Sequence, residues 1–174
     1  SETYCQSGSG IHSTMSSAHI LVIDAGTGAV RVLLFDMDGT IIHSEYREWS
    51  YKKDPGAETE ALVFEPEEFW QIIAETCRTV ILNSGVEPGD IAGVTATSQR
   101  QGMVFLDVAG REIYAAPNMA LRGAEVVPDL EQWKDDIFSV TGLPLHGMFG
   151  LARLLWFSKH DKAVYDEISR VMLI

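Results

Sequence analysis

The sequence predicts an α/β protein whose mixed sheet opens with a three-stranded antiparallel meander and is flanked by helices. Three observations lead there. Ile20 to Ile42 packs three β-prone runs around two short acidic turns, a helical period runs from Pro66 to about Gly85, and strands then alternate with helical stretches to the chain end.

The elements follow in order. Ile20, Leu21, Val22 and Ile23 form a continuous apolar run ending at Asp24, as a buried strand does. Gly26 and Gly28 are expected to supply the backbone freedom for a tight turn into a second strand, Val30 to Phe35. Asp36 to Gly39 makes the next turn, and Thr40 to Tyr46 alternates as a third strand. Ser50 to Phe64 is polar and reads as a loop. Pro66 then suits a first helical position, with Glu65, Glu67 and Glu68 at the positive end of the helix dipole. Phe69, Ile72, Ile73, Cys77, Val80 and Ile81 recur at helical spacing, so Cys77 and Trp70 are read as core or helix-face residues.

Ile91 to Thr97 is a fourth strand, followed by the polar run Ser98 to Gly102. Val104 to Val108 and Glu112 to Ala115 make a hairpin around Ala109-Gly110. Asn118 to Glu131 and Gln132 to Val140 are expected as helices interrupted at Pro128. Helices at Phe149 to Lys159 and Lys162 to Arg170 precede Val171 to Ile174, the start of a buried strand. Residues 1–17 read as a flexible leader or cloning remnant, with the natural start near Met15, so Cys5 and His12 are set aside; residues 18–174 are the domain.

Composition narrows the function. With 46% hydrophobic and 22% charged residues, 174 residues can bury a substantial core. A net charge of -12, from 13 Lys plus Arg against 25 Asp plus Glu, argues against a nucleic-acid partner and favours a small ligand. Two cysteines fit a reducing, cytoplasmic compartment, and no apolar run is long enough for a membrane span.

Walker-A, HExxH, CxxC and GxSxG patterns are missing. Gly26-Thr27-Gly28 begins like a dinucleotide fingerprint, but Arg31 stands at the third glycine position and a strand follows. Each acidic turn could take a phosphate, and the two imply different enzymes. At the first, glycines leave the amides of Gly26, Thr27 and Gly28 open to approach, Asp24 could hold hydrated magnesium, and Arg31 adds a cation. The competing reading is a glycine-rich hairpin with an exposed Asp. The second turn, in VLLFDMDGTII, resembles the first motif of haloacid dehalogenase-type phosphatases, which implies Asp36 as nucleophile and Asp38 as acid and base. Its plainer reading is a hairpin turn.

DAGTGAVRVLLFDMDGTII also resembles the opening hairpin of the FGGY carbohydrate kinases, in the ribonuclease H-like (actin-like ATPase) superfamily. The similarity continues through FEPEEFW, IAGVTATSQRQGMVFLDVAGREIY, NMALRGAE, TGLP and LARLLWFSKH, covering Ala18 to Ile174. Within the family the pattern looks most like autoinducer-2 kinases and xylulokinase-like members. The resemblance implies an N-terminal, sugar-binding domain of an enzyme that transfers the γ-phosphoryl of MgATP to a sugar or polyol hydroxyl.

On that resemblance, Asp24 is the magnesium-associated aspartate, Gly26, Thr27 and Gly28 are the phosphate turn, and Arg31 lies near the nucleotide phosphates. Arg100 and Gln101 fall on a dipeptide that contacts sugar hydroxyls, Asn118 and Arg122 on the next substrate segment, and Met148 or Phe149 at a further substrate-side position. Arg-Gln stands here where glycerol kinases and autoinducer-2 kinases have Arg-Glu, and Ala120 where many members have Asp. The resemblance places the catalytic base and the adenine-binding domain beyond Ile174, which implies that this chain alone is inactive; a non-catalytic sugar-binding domain is the other alternative beside the phosphatase. Partner surface left open would favour self-association, including a homodimer.

Overall fold

In the computed structural model, which describes residues 18–54 and 61–174, the chain builds two main sheets joined by an aromatic cluster, and a short two-stranded one. Expectations for the leader, including Met15, lie outside the described residues, as does part of the loop expected after Ser50. β1 (His19–Ala25), β2 (Ala29–Asp36) and β3 (Ile41–Glu48) form the expected antiparallel meander. In β2 the period of two is decisive: Val30, Val32 and Leu34 are wholly buried while Arg31 points to solvent. Short β4 (Lys52–Lys53) and β5 (Leu62–Val63) pair within the stretch expected as loop.

α1 (Pro66–Ser84) starts on Pro66 and stops at Gly85, whose φ of 72° lies in the left-handed region. Its Val80 closes a core with Leu21, Val30, Val32 and Leu34, and Cys77 packs half-buried against it. Trp70 is instead 61% exposed, because the inward stripe runs through Phe69, Thr76 and Val80 and turns Trp70 outward. β6 (Ile91–Ser98) pairs in parallel with β1, so the first sheet, ordered β3-β2-β1-β6, is mixed as expected.

β7 (Met103–Leu106) and β8 (Glu112–Ala116) are the expected hairpin. The stretch after Asn118 departs from the helix, interrupted at Pro128, expected to Glu131. It is a turn, a 3-10 segment at Arg122–Val126 and a single α-turn, α2 (Val127–Leu130), then a 3-10 turn into α3 (Lys134–Thr141). Packing overrides propensity there: a Cβ on Gly123 would stand 2.5 Å from the Gly147 carbonyl and 2.8 Å from Ala152 Cβ. α4 (Gly150–His160) buries Ala152, Arg153, Trp156 and Phe157 against the second sheet. α5 (Lys162–Glu167), capped by the Asp161 carboxylate, ends before the expected Arg170. β9 (Arg170–Leu173) then pairs with β7, and the second sheet is β8-β7-β9, antiparallel throughout.

The expected final strand therefore forms, but exposed rather than buried: Met172 is 50% and Leu173 68% exposed on this edge. Val94 on edge strand β6 is 62% exposed and Leu82 on α1 80%. Edges of this kind template strand addition. Sedimentation of the 174-residue chain over a dilution series should show concentration-dependent association above 19.2 kDa, weakened in Leu173→Lys; a monomer at every concentration would contradict it.

Candidate active site

β1 and β6 run in parallel and end side by side, Ala25 opposite Ser98, so their following turns emerge at one edge of the sheet. This is where open α/β sheets bind ligands. The β1–β2 turn brings Gly26, Thr27 and Gly28; β6 brings Gln99, Arg100 and Gln101; and the segment after β8 brings Asn118.

These three segments are tied together by hydrogen bonds. Asn118 Nδ2 donates to Thr27 Oγ1 at 3.1 Å. The Asn118 backbone N–H donates to Gln99 Oε1 at 3.0 Å, Gln99 Nε2 donates to the Tyr51 hydroxyl at 3.0 Å, and Tyr51 donates to the Thr27 carbonyl. Trp49 Nε1 donates to the same carbonyl at 3.0 Å, and the Gln99 N–H to the Ala25 carbonyl at 3.0 Å. Trp49 stacks on Phe69, and Tyr51 meets Phe64 and Phe69, which seats both donors in the aromatic cluster between the sheets.

Asn118 is held from behind by Arg153, whose side chain is completely buried. Its Nη2 donates to the Pro117 and Ala120 carbonyls at 2.7 and 3.2 Å, and Nη1 reaches the Ala116 carbonyl at 3.5 Å. Burial pushes the guanidinium pKa down, and three backbone carbonyls solvate it.

The remaining residues sit around this group. Asp24 is exposed opposite Arg31 across the hairpin, and its carboxylate makes no hydrogen bond or ion pair among the described residues. Asp24, Gly26, Gly28, Ala29, Arg31 and Tyr46 line one shallow depression, with the Arg31 guanidinium 5.7 Å from the Tyr46 ring centre. Neither Gly26 nor Gly28 has a positive φ, so the turn does not need glycine for the backbone freedom expected. A Cβ on Gly28 would meet nothing within 4 Å. Arg100 is exposed and Gln101 adopts a left-handed φ of 65°, unusual for a residue with a side chain. Met148 and Phe149 lie half-buried at the start of α4.

Arg122 does not join them. Its guanidinium is buried, paired with Asp54 and packed 4.4 Å from the Trp156 ring centre and 4.9 Å from that of Phe157. Its pKa is lowered, chiefly by burial.

The second acidic turn lies at the other end of the β1–β2 pair, His19 opposite Asp36 and Ala25 opposite Val30, roughly 20 Å away at the usual rise per residue. Asp36 Oδ1 accepts the N–H groups of Asp38 and Thr40 at 3.0 and 2.8 Å, and Gly39 has φ 83°. The β7–β8 turn repeats this arrangement: Asp107 Oδ1 accepts from Ala109 and Arg111 at 2.8 and 2.9 Å, with Gly110 at φ 80°. In both, the backbone N–H bond from the residue four positions on is the main cause of a lowered carboxyl pKa. An antiparallel strand follows each turn rather than a crossover. Asp36-Met37-Asp38-Gly39 is thus a turn whose carboxylate serves its own backbone.

A family model for the FGGY family of carbohydrate kinases, N-terminal domain, matches residues 19–174. The chain belongs to the FGGY family. Autoinducer-2 kinase of Escherichia coli (strain K12) is 30% identical over 164 residues, which cover 91% of this chain and 31% of that protein. The autoinducer-2 kinase of Salmonella paratyphi A is 29% identical over 166 residues, 92% of this chain and 31% of that one. The chain spans about a third of the length of these relatives.

Among solved structures, a gluconate kinase from Lactobacillus acidophilus superposes with a TM-score of 0.79 at 19% identity, over 90% of this chain and 31% of its own. A ligand-bound xylulose kinase from the same organism gives 0.78 at 19% identity, over 88% and 31%. At that identity the match speaks to the fold, which is the ribonuclease H-like (actin-like ATPase) α/β fold expected. No helix among the described residues is long and apolar enough to cross a membrane.

Trp49, Tyr51, Gln99 and Arg153 went unmarked in the sequence. Two aromatics spaced by two inside a polar stretch were the only local signal for Trp49 and Tyr51.

Proposed function

We propose that this chain is the N-terminal, sugar-binding part of an ATP-dependent carbohydrate kinase, acting in the cytoplasm together with a further domain of the length its relatives have. The observation that carries the reading is the hydrogen-bonded group at the ends of β1 and β6, which ties Thr27 of the glycine turn to Asn118 of the segment after β8. Phosphoryl transfer relies mainly on positioning and electrostatic stabilisation, so one rigid group spanning both reactants suits it.

In this reading Gly26, Thr27 and Gly28 present backbone N–H groups and a hydroxyl to the phosphates, and Arg31 adds positive charge. The open space at Gly28 supports close approach of a ligand. The chemistry of Asp24 fits magnesium: an exposed carboxylate with no partner among the described residues can hold a hydrated ion, which binds through few carboxylates. Bound there, magnesium would supply charge neutralisation on the phosphates. Arg100, Gln101 and Asn118 orient the sugar hydroxyls. Arg122, committed to Asp54 and the aromatic rings, forms the wall behind them. Domain closure would exclude water and limit ATP hydrolysis.

The test is a panel of sugars and polyols incubated with MgATP. The protein extended to the length of its relatives should yield a sugar phosphate with at least one of them, and the 174-residue chain none. Phosphorylation by the short chain, or none by the extended protein across the panel, would contradict the proposal.

A further inference from the structure

The Thr27 carbonyl accepts two side-chain donors, Trp49 Nε1 and the Tyr51 hydroxyl. A trans peptide is planar, with its C=O and N–H pointing in opposite directions. Fixing the Thr27 carbonyl toward the aromatic cluster therefore fixes the next N–H, that of Gly28, away from it. The Gly28 carbonyl is held as well, by the Trp49 N–H at 3.1 Å.

The direction of each proton is set by chemistry. The Asn118 N–H can only donate, so the facing Gln99 atom is the oxygen and the other end of the amide is the NH2. That NH2 donates to Tyr51, which leaves the Tyr51 proton for the Thr27 carbonyl. Gln99 is 6% exposed, and burial raises the Tyr51 pKa, so the donor keeps its proton through neutral pH. Polarity thus runs from Asn118 through Gln99 and Tyr51 to the peptide of the glycine turn.

We infer that Tyr51 and Gln99 are positioning residues that lock the Thr27–Gly28 peptide with its N–H facing outward as a preformed donor for a phosphate oxygen. The lock couples that donor to the seating of Asn118. The role in phosphate recognition rests on the kinase reading above; the orientation of the peptide does not. A donor aimed before the ligand arrives needs no reorganisation during the reaction, which is how such groups lower barriers.

Tyr51→Phe removes one hydroxyl and keeps the ring in its aromatic cluster. Gln99→Glu keeps the acceptor for Asn118 but offers Tyr51 no donor, so the Tyr51 proton is drawn away from Thr27. In 15N-resolved spectra of the 174-residue chain, both variants should move the Gly28 amide resonance and lower its order parameter from the rigid-backbone range of about 0.85 toward about 0.6, while Val32 and Leu34 in β2 keep their hydrogen-exchange protection. Unchanged Gly28 shift and order parameter in both variants would overturn the inference, whatever the enzyme does; loss of exchange protection across β2 in both would likewise assign Tyr51 and Gln99 to structure alone.

In the extended protein, Tyr51→Phe should lower kcat about tenfold with the sugar KM within about twofold, less than the loss of a whole donor because the Gly28 N–H is loosened rather than removed. If Gly28 responds but kcat does not, the peptide lock stands and the phosphate role falls.

Discussion

Asp24→Asn is expected to lower kcat of the extended protein by about 10²–10³-fold, the range seen when a group that meets developing charge is lost. The substitution is nearly isosteric at an exposed strand end, so folding should be unchanged. Asn keeps an oxygen but not the charge that binds magnesium, so raising the magnesium concentration should recover part of the loss. The paired control is Asp36→Asn. Its side-chain oxygen can still accept the Asp38 and Thr40 N–H groups, so the turn survives and activity should stay within about twofold of wild type. Reversed outcomes, with Asp36→Asn inactive and Asp24→Asn unaffected, would move the chemistry to the far turn.

Arg153→Met is expected to be the most damaging single change to the fold. It leaves the Ala116, Pro117 and Ala120 carbonyls without their donors, and a buried group left unsatisfied costs about 1–3 kcal/mol. Part of that is returned because a buried guanidinium no longer has to be desolvated. A net loss of about 3 kcal/mol follows, which for a domain this size lowers Tm by roughly 6–12 °C. Arg153→Lys should recover little, since a single ammonium cannot span carbonyls that a planar fork bridges. Because Asn118 lies between two of these carbonyls in sequence, the sugar KM should rise as well. Unchanged thermal unfolding in both variants would show that the segment holds without the arginine.

The parts of the fold legible in sequence were those with local causes. The second strand, the Pro66 start and Gly85 stop of α1, and the Asp-x-x-Gly turns have causes that act over a few residues, and each formed where expected. The stretch after Asn118 was misjudged because its shape is set from far along the chain, by Arg153 and by the contact of Gly123 with Gly147 and Ala152. Trp70 was misplaced because apolarity says that a side chain prefers burial but not which stripe of the helix faces inward. The site divides the same way. Asp24, Thr27 and Asn118 could be named from motif and resemblance, whereas Tyr51 and Gln99 matter through hydrogen bonds spanning 24, 48 and 19 residues. Arg122 could be named, but the pairing with Asp54 that turns it inward could not.

The most direct measurement is a crystal structure of the extended protein with MgADP, a fluoride mimic of the transferring phosphoryl group and a bound sugar. The account predicts the mimic at the amides of Gly26, Thr27 and Gly28, magnesium beside Asp24, and sugar hydroxyls at Arg100, Gln101 and Asn118. A mimic bound at Asp36 and Asp38, with the glycine turn bare, would contradict it.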